Sequence, residues 1–173
     1  MTNPTDLKSP LYIQILNNFP NPIWRSGTDG KCDFFNYAWL NFTGRTLEQE
    51  YGDGWAEGVH KDDLDRCIEI YTEAFEKREH FEMEYRIKHN DGTYHWILDS
   101  GSPFFDENGD FLRYIGSCYD INESKTTIFK QQEYITEIDK LNKLMVDREL
   151  KMVQQKEEID NLKEELEKLT NTP

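Results

Sequence analysis

Apolar and polar residues alternate along His80–His89, with Phe81, Met83, Tyr85 and Ile87 on one face and Glu82, Glu84, Arg86 and Lys88 on the other. A period of two marks a strand with one buried face, the usual condition of an antiparallel sheet. Thr93–Pro103 and Phe111–Ile121 continue the meander, and Ile23–Thr28 with Lys31–Asn36 predicts an earlier hairpin. The breaks fall at Thr28-Asp29-Gly30-Lys31, Asn90-Asp91-Gly92-Thr93 and Glu107-Asn108-Gly109-Asp110. Asp-Gly and Asn-Gly accept the positive φ that tight turns require. Between the early and late strands the period lengthens. Leu64, Ile68, Tyr71 and Phe75 recur at helical spacing, with Asp62 or Asp63 as the expected cap of a helix over Leu64–Arg78. Asn36 is placed to cap a short helix through Ala38–Phe42 that stops at Gly44. Thr46 is placed to cap another, with Glu48, Gln49 and Glu50 near its positive end. Ser9–Asn17 reads as a short amphipathic helix ended by Pro20 and Pro22. Two strands, several short helices and three strands make an α+β domain: a five-stranded antiparallel sheet with helices grouped on one face. A hollow between sheet and helices would suit a small molecule.

From about Thr126 to Leu169 helix signals run almost unbroken, which corresponds to ~65 Å of α-helix at 1.5 Å per residue. Heptad positions a fall at Ile138, Met145, Met152, Ile159 and Leu166, and positions d at Leu141, Arg148, Gln155, Leu162 and Leu169. Eight of the ten are apolar, the seam of a coiled coil. In a parallel dimer Glu158 would face Lys163 of the second copy favourably, whereas Lys151 would face Lys156 unfavourably. Val146, Leu150 and Val153 form a second apolar stripe beside this weak middle, so more than two helices could pack there.

Composition sharpens the boundary. Of 23 aromatic residues 21 lie at or before Tyr119, and all ten glycines precede residue 117. Residues 1–124 carry 11 basic and 23 acidic groups, and residues 125–173 carry 9 and 11. The expected organisation is an N-terminal flanking helix (1–20), a globular domain (21–124) and a long helix (125–173). A net charge of −14 predicts no general affinity for nucleic acid or anionic membrane. No apolar run approaches a membrane span and no signal peptide is visible. Cys32, Cys67 and Cys118 form neither a paired framework nor a C-x-x-C site, which points to a cytoplasmic protein with reduced thiols.

The segments Phe35-Asn36-Tyr37-Ala38-Trp39-Leu40-Asn41-Phe42-Thr43-Gly44 and Gly54-Trp55-Ala56-Glu57-Gly58-Val59-His60-Lys61-Asp62-Asp63 resemble a PAS domain of the bacterial sensor type. So do Phe81–Arg86, Asn90-Asp91-Gly92-Thr93-Tyr94-His95-Trp96-Ile97 and Gly116-Ser117-Cys118-Tyr119-Asp120-Ile121-Asn122-Glu123. The resemblance covers roughly residues 10–125 in order and spacing. It implies a non-catalytic input module that binds a ligand or mediates dimerisation. The family's V-H-P-D-D reads Val59-His60-Lys61-Asp62-Asp63 here, and its D-I-T signature reads Asp120-Ile121-Asn122. Asn bonds locally much as Thr does, so the junction between last strand and signalling helix is expected to survive. Asp120 and Glu123 also fit a capping box. These four residues, Asp120, Ile121, Asn122 and Glu123, are the expected signalling junction.

In the family the strand position of Cys118 faces the pocket, so Cys118 would touch a ligand, sense oxidation or simply pack as a core thiol. Trp39, Tyr71, Met83, Tyr85 and Ile97 would line the same cavity or fill it as solid core. Flavin photosensors of the family carry a cysteine in the segment that reads Tyr51-Gly52-Asp53-Gly54-Trp55 here, which has none. Haem-binding members take a histidine from the long helix, and residues 64–78 contain none. The resemblance thus predicts neither cofactor and leaves any other unassigned. His89 and His95 face each other across the Asn-Asp-Gly hairpin, but two ligands on a solvated turn are too few to predict a metal. His60, Asp62 and Asp63 are better explained by helix capping than by acid–base chemistry.

Leu141–Met152 resembles linkers that follow PAS domains in bacterial sensors, histidine kinases among them. No histidine follows His95 and no Gly-rich nucleotide site occurs, so the chain is not expected to be an enzyme. The expected function is a sensory PAS module that responds to a small ligand or partner and signals through a dimeric C-terminal helix. The alternative is a constitutive dimerisation adaptor, or an N-terminal piece of a sensor kinase whose output domain follows Pro173. A homodimer and a kinase or other signalling protein are the expected partners.

Overall fold

The computed structural model describes residues 10–170, with only the backbone described at residues 165 and 167–170. The elements in chain order are α1 (Pro10–Asn17), β1 (Ile23–Ser26), β2 (Cys32–Phe35), α2 (Tyr37–Thr43), α3 (Leu47–Glu50), a 3-10 turn (Gly54–Gly58), α4 (Lys61–Lys77), β3 (Phe81–Lys88), β4 (Tyr94–Phe105), β5 (Phe111–Asp120) and α5 (Asn122–Thr170). Two compact units divide between Lys125 and Thr126.

The five strands form one antiparallel sheet in the order β2-β1-β5-β4-β3. The last three strands are the meander read from the sequence. The β1–β2 hairpin returns to pair with β5, a contact across about 90 residues that no local pattern announces. Burial along β3 alternates as its sequence does. One face carries the main core, built from Trp24, Phe35, Trp39, Cys67, Tyr85, Ile87, Ile97 and Tyr114 among others. Helix α1 is attached to the opposite face, where Leu16 packs with Ile23 and Phe34.

Asn36 joins the two sides. Its Oδ1 caps α2 by accepting the Trp39 N–H at 3.0 Å and also takes the Ile23 N–H at 2.9 Å. Its amide donates to the carbonyls of Leu16 and Asn21 at 3.0 and 2.9 Å. A row across the sheet explains two glycines: Trp24 pairs with Gly116, Gly116 with Gly101, and Gly101 with Phe81. The Trp24 and Phe81 rings stack 6.0 Å apart over these positions. A Cβ at Gly116 would lie 2.3 Å from the Trp24 ring, and one at Gly101 would lie 2.5 Å from Phe81.

Helix α4 presents Leu64, Tyr71 and Phe75 to the core as expected, but differs from the expectation at its start and at Ile68. It begins at Lys61, earlier than read, and His60 is its cap, its Nδ1 accepting the Asp62 N–H at 3.2 Å. Asp63 is not a cap: it is buried and holds Arg86 of β3, accepting from the backbone N–H at 3.0 Å and from Nε at 2.8 Å. The buried stripe is Asp63, Cys67 and Ala74, while Ile68 is exposed. Small Cys67 and Ala74 let the helix lie close on the sheet, which rotates the larger Ile68 outward.

Helix α5 is 49 residues long. Ile138, Leu141, Met145, Met152, Ile159, Leu162 and Leu166 all stand exposed along it. The Leu169 side chain lies outside the described residues. No helix among the described residues is long and apolar enough to cross a membrane.

Candidate functional site

The main core is not entirely solid. Between sheet and helices it holds a cavity of about 20 Å³, lined by residues that include Trp24, Trp39, Trp55, Tyr71, Met83, Tyr85 and Asp99. That is room for about one water molecule. Four of the six expected lining residues, Trp39, Tyr71, Met83 and Tyr85, border it. Ile97 and Cys118 are buried in the same core without bordering it.

The polar centre of this cavity is Asp99, which the alternation of β4 places inward opposite Cys118 of β5. It is 3% exposed. Its Oδ1 accepts the Trp24 indole N–H at 2.7 Å and its Oδ2 accepts the Tyr85 hydroxyl at 3.1 Å. No cation is among the groups acting on it, so burial dominates and pushes its carboxyl up to about 6, against the pull of Trp24, Cys118 and Tyr85. Burial likewise raises the thiols of Cys118, Cys32 and Cys67. Such thiols stay protonated and unreactive, which favours the packing role for Cys118 over a redox role.

A second polar pair lies nearby. Trp39 Nε1 and Glu50 Oε2 are buried and have no hydrogen-bond partner among the described residues. Glu50 Oε1 sits 2.7 Å from Arg45 Nε, yet burial still raises the Glu50 carboxyl.

Trp55 and Tyr71 separate the cavity from a surface groove of about 320 Å³ whose rim includes Gly30, Lys31, Ile68 and Thr72. Their rings meet edge to face at 6.3 Å. The Tyr71 hydroxyl is anchored to Ser26 Oγ at 2.9 Å and donates to the Gly30 carbonyl at 2.7 Å. Trp55 forms no such hydrogen bond among the described residues and is the more movable of the two. A drug-sized ligand needs several hundred Å³, far more than the inner cavity alone offers.

The junction residues are brought together. Asp120 Oδ1 accepts the Asn122 N–H at 2.9 Å, and its Oδ2 meets His95 Nδ1 at 2.9 Å. The Ile121 N–H donates to the Trp96 carbonyl at 2.9 Å, and the Trp96 N–H reaches Asn122 Oδ1 at 3.4 Å. Lys125 pairs with Glu84 and lies over the Trp96 ring. The helix begins at Asn122, two residues after Asp120, so Asp120 acts on the first helical N–H and not through the expected box. Glu123 contributes acidic charge to the first turn. The lining residues that sequence reasoning missed are Trp24, Cys32, Phe35, Trp55, Phe81 and Asp99. The inward period of β4 from Ile97 was the available signal for Asp99.

Residues 33–118 match the family model described as the PAS fold. An N-terminal domain of a diguanylate cyclase with PAS/PAC sensor from Marinobacter aquaeolei shares the fold with a TM-score of 0.54 at 22% identity, covering 60% of this chain and 97% of that one. Among curated proteins, the chain is 38% identical over 114 residues to the uncharacterised protein y4lL of Sinorhizobium fredii, covering 66% of this chain and 14% of that protein. It is 27% identical over 132 residues to the peroxide stress-activated histidine kinase mak1 of Schizosaccharomyces pombe, covering 70% of this chain and 8% of that protein. The chain therefore spans a small fraction of the length of these relatives. Fold and family model together show that residues 33–118 have the PAS fold, which this chain carries ahead of a long helix.

Proposed function

We propose that this PAS domain is a non-catalytic regulatory module that responds to a small ligand or partner and passes the change to a dimeric α5. The observation that carries this reading is the junction. The end of β5 and the first turn of α5 are hydrogen-bonded to β4 through Asp120, Ile121 and Asn122, and β4 supplies Asp99 to the cavity. A shift in sheet packing thus has a short path to the helix. Two discrete helix arrangements, biased by that shift, are what signalling physically requires. The exposed heptad residues of α5 support pairing with a second copy, because seven large apolar side chains at a/d spacing gain by mutual burial. The kinase relative supports a kinase as output or partner.

The small cavity favours a second reading, a constitutive adaptor whose core admits nothing and whose helix is permanently paired. A native mass spectrum of the untagged chain separates the two. A dimer carrying extra mass that is lost on denaturation supports ligand uptake. A bare dimer that binds nothing from a small-molecule panel supports the adaptor, and a monomer at micromolar concentration overturns the dimeric helix.

A further inference from the structure

We propose that the β3–β4 hairpin is a binding site for a divalent transition-metal ion of the zinc type, held by His89, Asp91 and His95 and oriented by Asp120. One ligand atom from each of the first three residues lies within 4.8 Å of the others. Asp91 Oδ1 is 3.3 Å from His89 Nδ1, and Asp91 Oδ2 is 3.6 Å from His95 Nε2. Two ligands on one tetrahedral ion at about 2.0–2.1 Å stand about 3.3 Å apart. Each histidine is near that spacing from a different oxygen of Asp91, so coordination through the free Oδ2 takes a side-chain rotation on the exposed turn that brings His89 toward it.

The surroundings set the lone pairs. His95 Nδ1 faces the Asp120 carboxylate at 2.9 Å, which calls for a hydrogen on Nδ1 and leaves the Nε2 lone pair directed at Asp91. This is the carboxylate–histidine–metal relay that fixes tautomer and ring angle in metal sites. The His89 Nδ1 lone pair accepts the Asp91 N–H at 3.4 Å, a long bond that it must give up to hold an ion. Asp91 is itself held: its Oδ1 accepts the Thr93 N–H and hydroxyl, both at 2.8 Å, while Oδ2 is left for a ligand. The two imidazoles stack 4.2 Å apart at 16°, and Phe42 of α2 meets His89 and His95 edge to face at 4.8 and 5.9 Å. The rings lie nearly parallel, so binding requires one imidazole to turn out of the stack before both nitrogen lone pairs and a carboxylate oxygen meet one ion, with water completing a four-coordinate shell. The sequence displayed two of these ligands. The turn adds the third and the end of β5 adds the orienting carboxylate. Asp120 also holds the first N–H of α5, so the ion would sit one residue from the junction.

The test is Zn²⁺ titration of the untagged, chelator-treated full chain by calorimetry, with Co²⁺ absorption as the coordination readout. One ion per chain is expected, with tetrahedral Co²⁺ bands. His89→Gln, Asp91→Asn and His95→Gln should each weaken binding at least about tenfold, and Asp120→Asn, a positioning change, about 10–100-fold. His80→Gln, outside the site, should leave it unchanged. Absence of binding at 1 mM Zn²⁺, or binding that His89→Gln and His95→Gln both leave within about twofold, overturns the proposal. Should His95→Gln fail to fold, His89→Gln decides, together with Zn²⁺-induced movement of the His95 Nε2 resonance in the unaltered chain.

Discussion

Replacing Asp99 by Asn should make the PAS domain more stable at neutral pH and flatten its response to pH. In the folded chain the Asp99 carboxyl is raised from 3.8 to about 6, chiefly by burial. An acid whose folded value exceeds its unfolded one binds its proton more tightly when folded. Its contribution to stability is therefore full below about pH 4 and is lost as pH rises through about 6. Two units at ~1.4 kcal/mol each amount to about 3 kcal/mol at pH 7.5. The asparagine side chain would be uncharged throughout, would still accept the Trp24 N–H, and would present an amide to the Tyr85 oxygen. Urea unfolding of both chains at pH 4 and pH 7.5, followed by tryptophan fluorescence, isolates the effect. All four tryptophans precede residue 97, so the signal reports the globular unit and not α5. Carboxylates common to both chains cancel in the comparison. The stability of D99N relative to the parent should improve by about 2–3 kcal/mol between the two pH values. Parallel pH profiles would refute the argument that Asp99 is buried, uncompensated and raised.

Gly116→Ala should cost at least about 2 kcal/mol in urea unfolding, because its methyl would collide with the Trp24 ring and neither strand nor indole has room to move. Asp63→Asn should cost about 1–3 kcal/mol, since it loosens the three hydrogen bonds to Arg86 that join α4 to β3, and a change below about 0.5 kcal/mol would contradict that role. Leu141→Glu with Met145→Glu should shift the chain from dimer to monomer in sedimentation while leaving the thermal midpoint of the globular unit within about 2 °C. An unchanged sedimentation coefficient would remove these residues from the dimer seam.

Local periodicity carried the strands, the turns and the length of α5, because alternation, Asp-Gly pairs and heptads act over a few residues. The face of α4 followed Leu64, Tyr71 and Phe75, which pack against the core, but not Ile68. Burial there was decided by the close approach that Cys67 and Ala74 permit and by the Asp63–Arg86 pair, which depends on which strand lies beneath. Asp99 was hidden for a related reason: a carboxylate in a strand reads as solvent-facing until Trp24 and Tyr85 are known to meet it. The return of β1–β2 to β5 is a long-range pairing, and it places Trp24 over Gly116 and sets the cavity. At the hairpin, Asn-Asp-Gly announced a turn but not the direction in which Asp91 would point its carboxylate.

The central claim is that core packing and helix geometry are coupled through the Asp120–Asn122 junction. Cys32, Cys67 and Cys118 are all buried, so a spin label attached at Lys140→Cys on α5 reacts selectively. Pulsed dipolar spectroscopy then measures the distance between the two copies. Trp55→Ala, which joins cavity to groove, should shift that distance distribution, and adding Asp120→Ala with Asn122→Ala should abolish the shift while the fold remains. A distribution that Trp55→Ala leaves unchanged, or a shift that persists without the two junction side chains, would contradict the account.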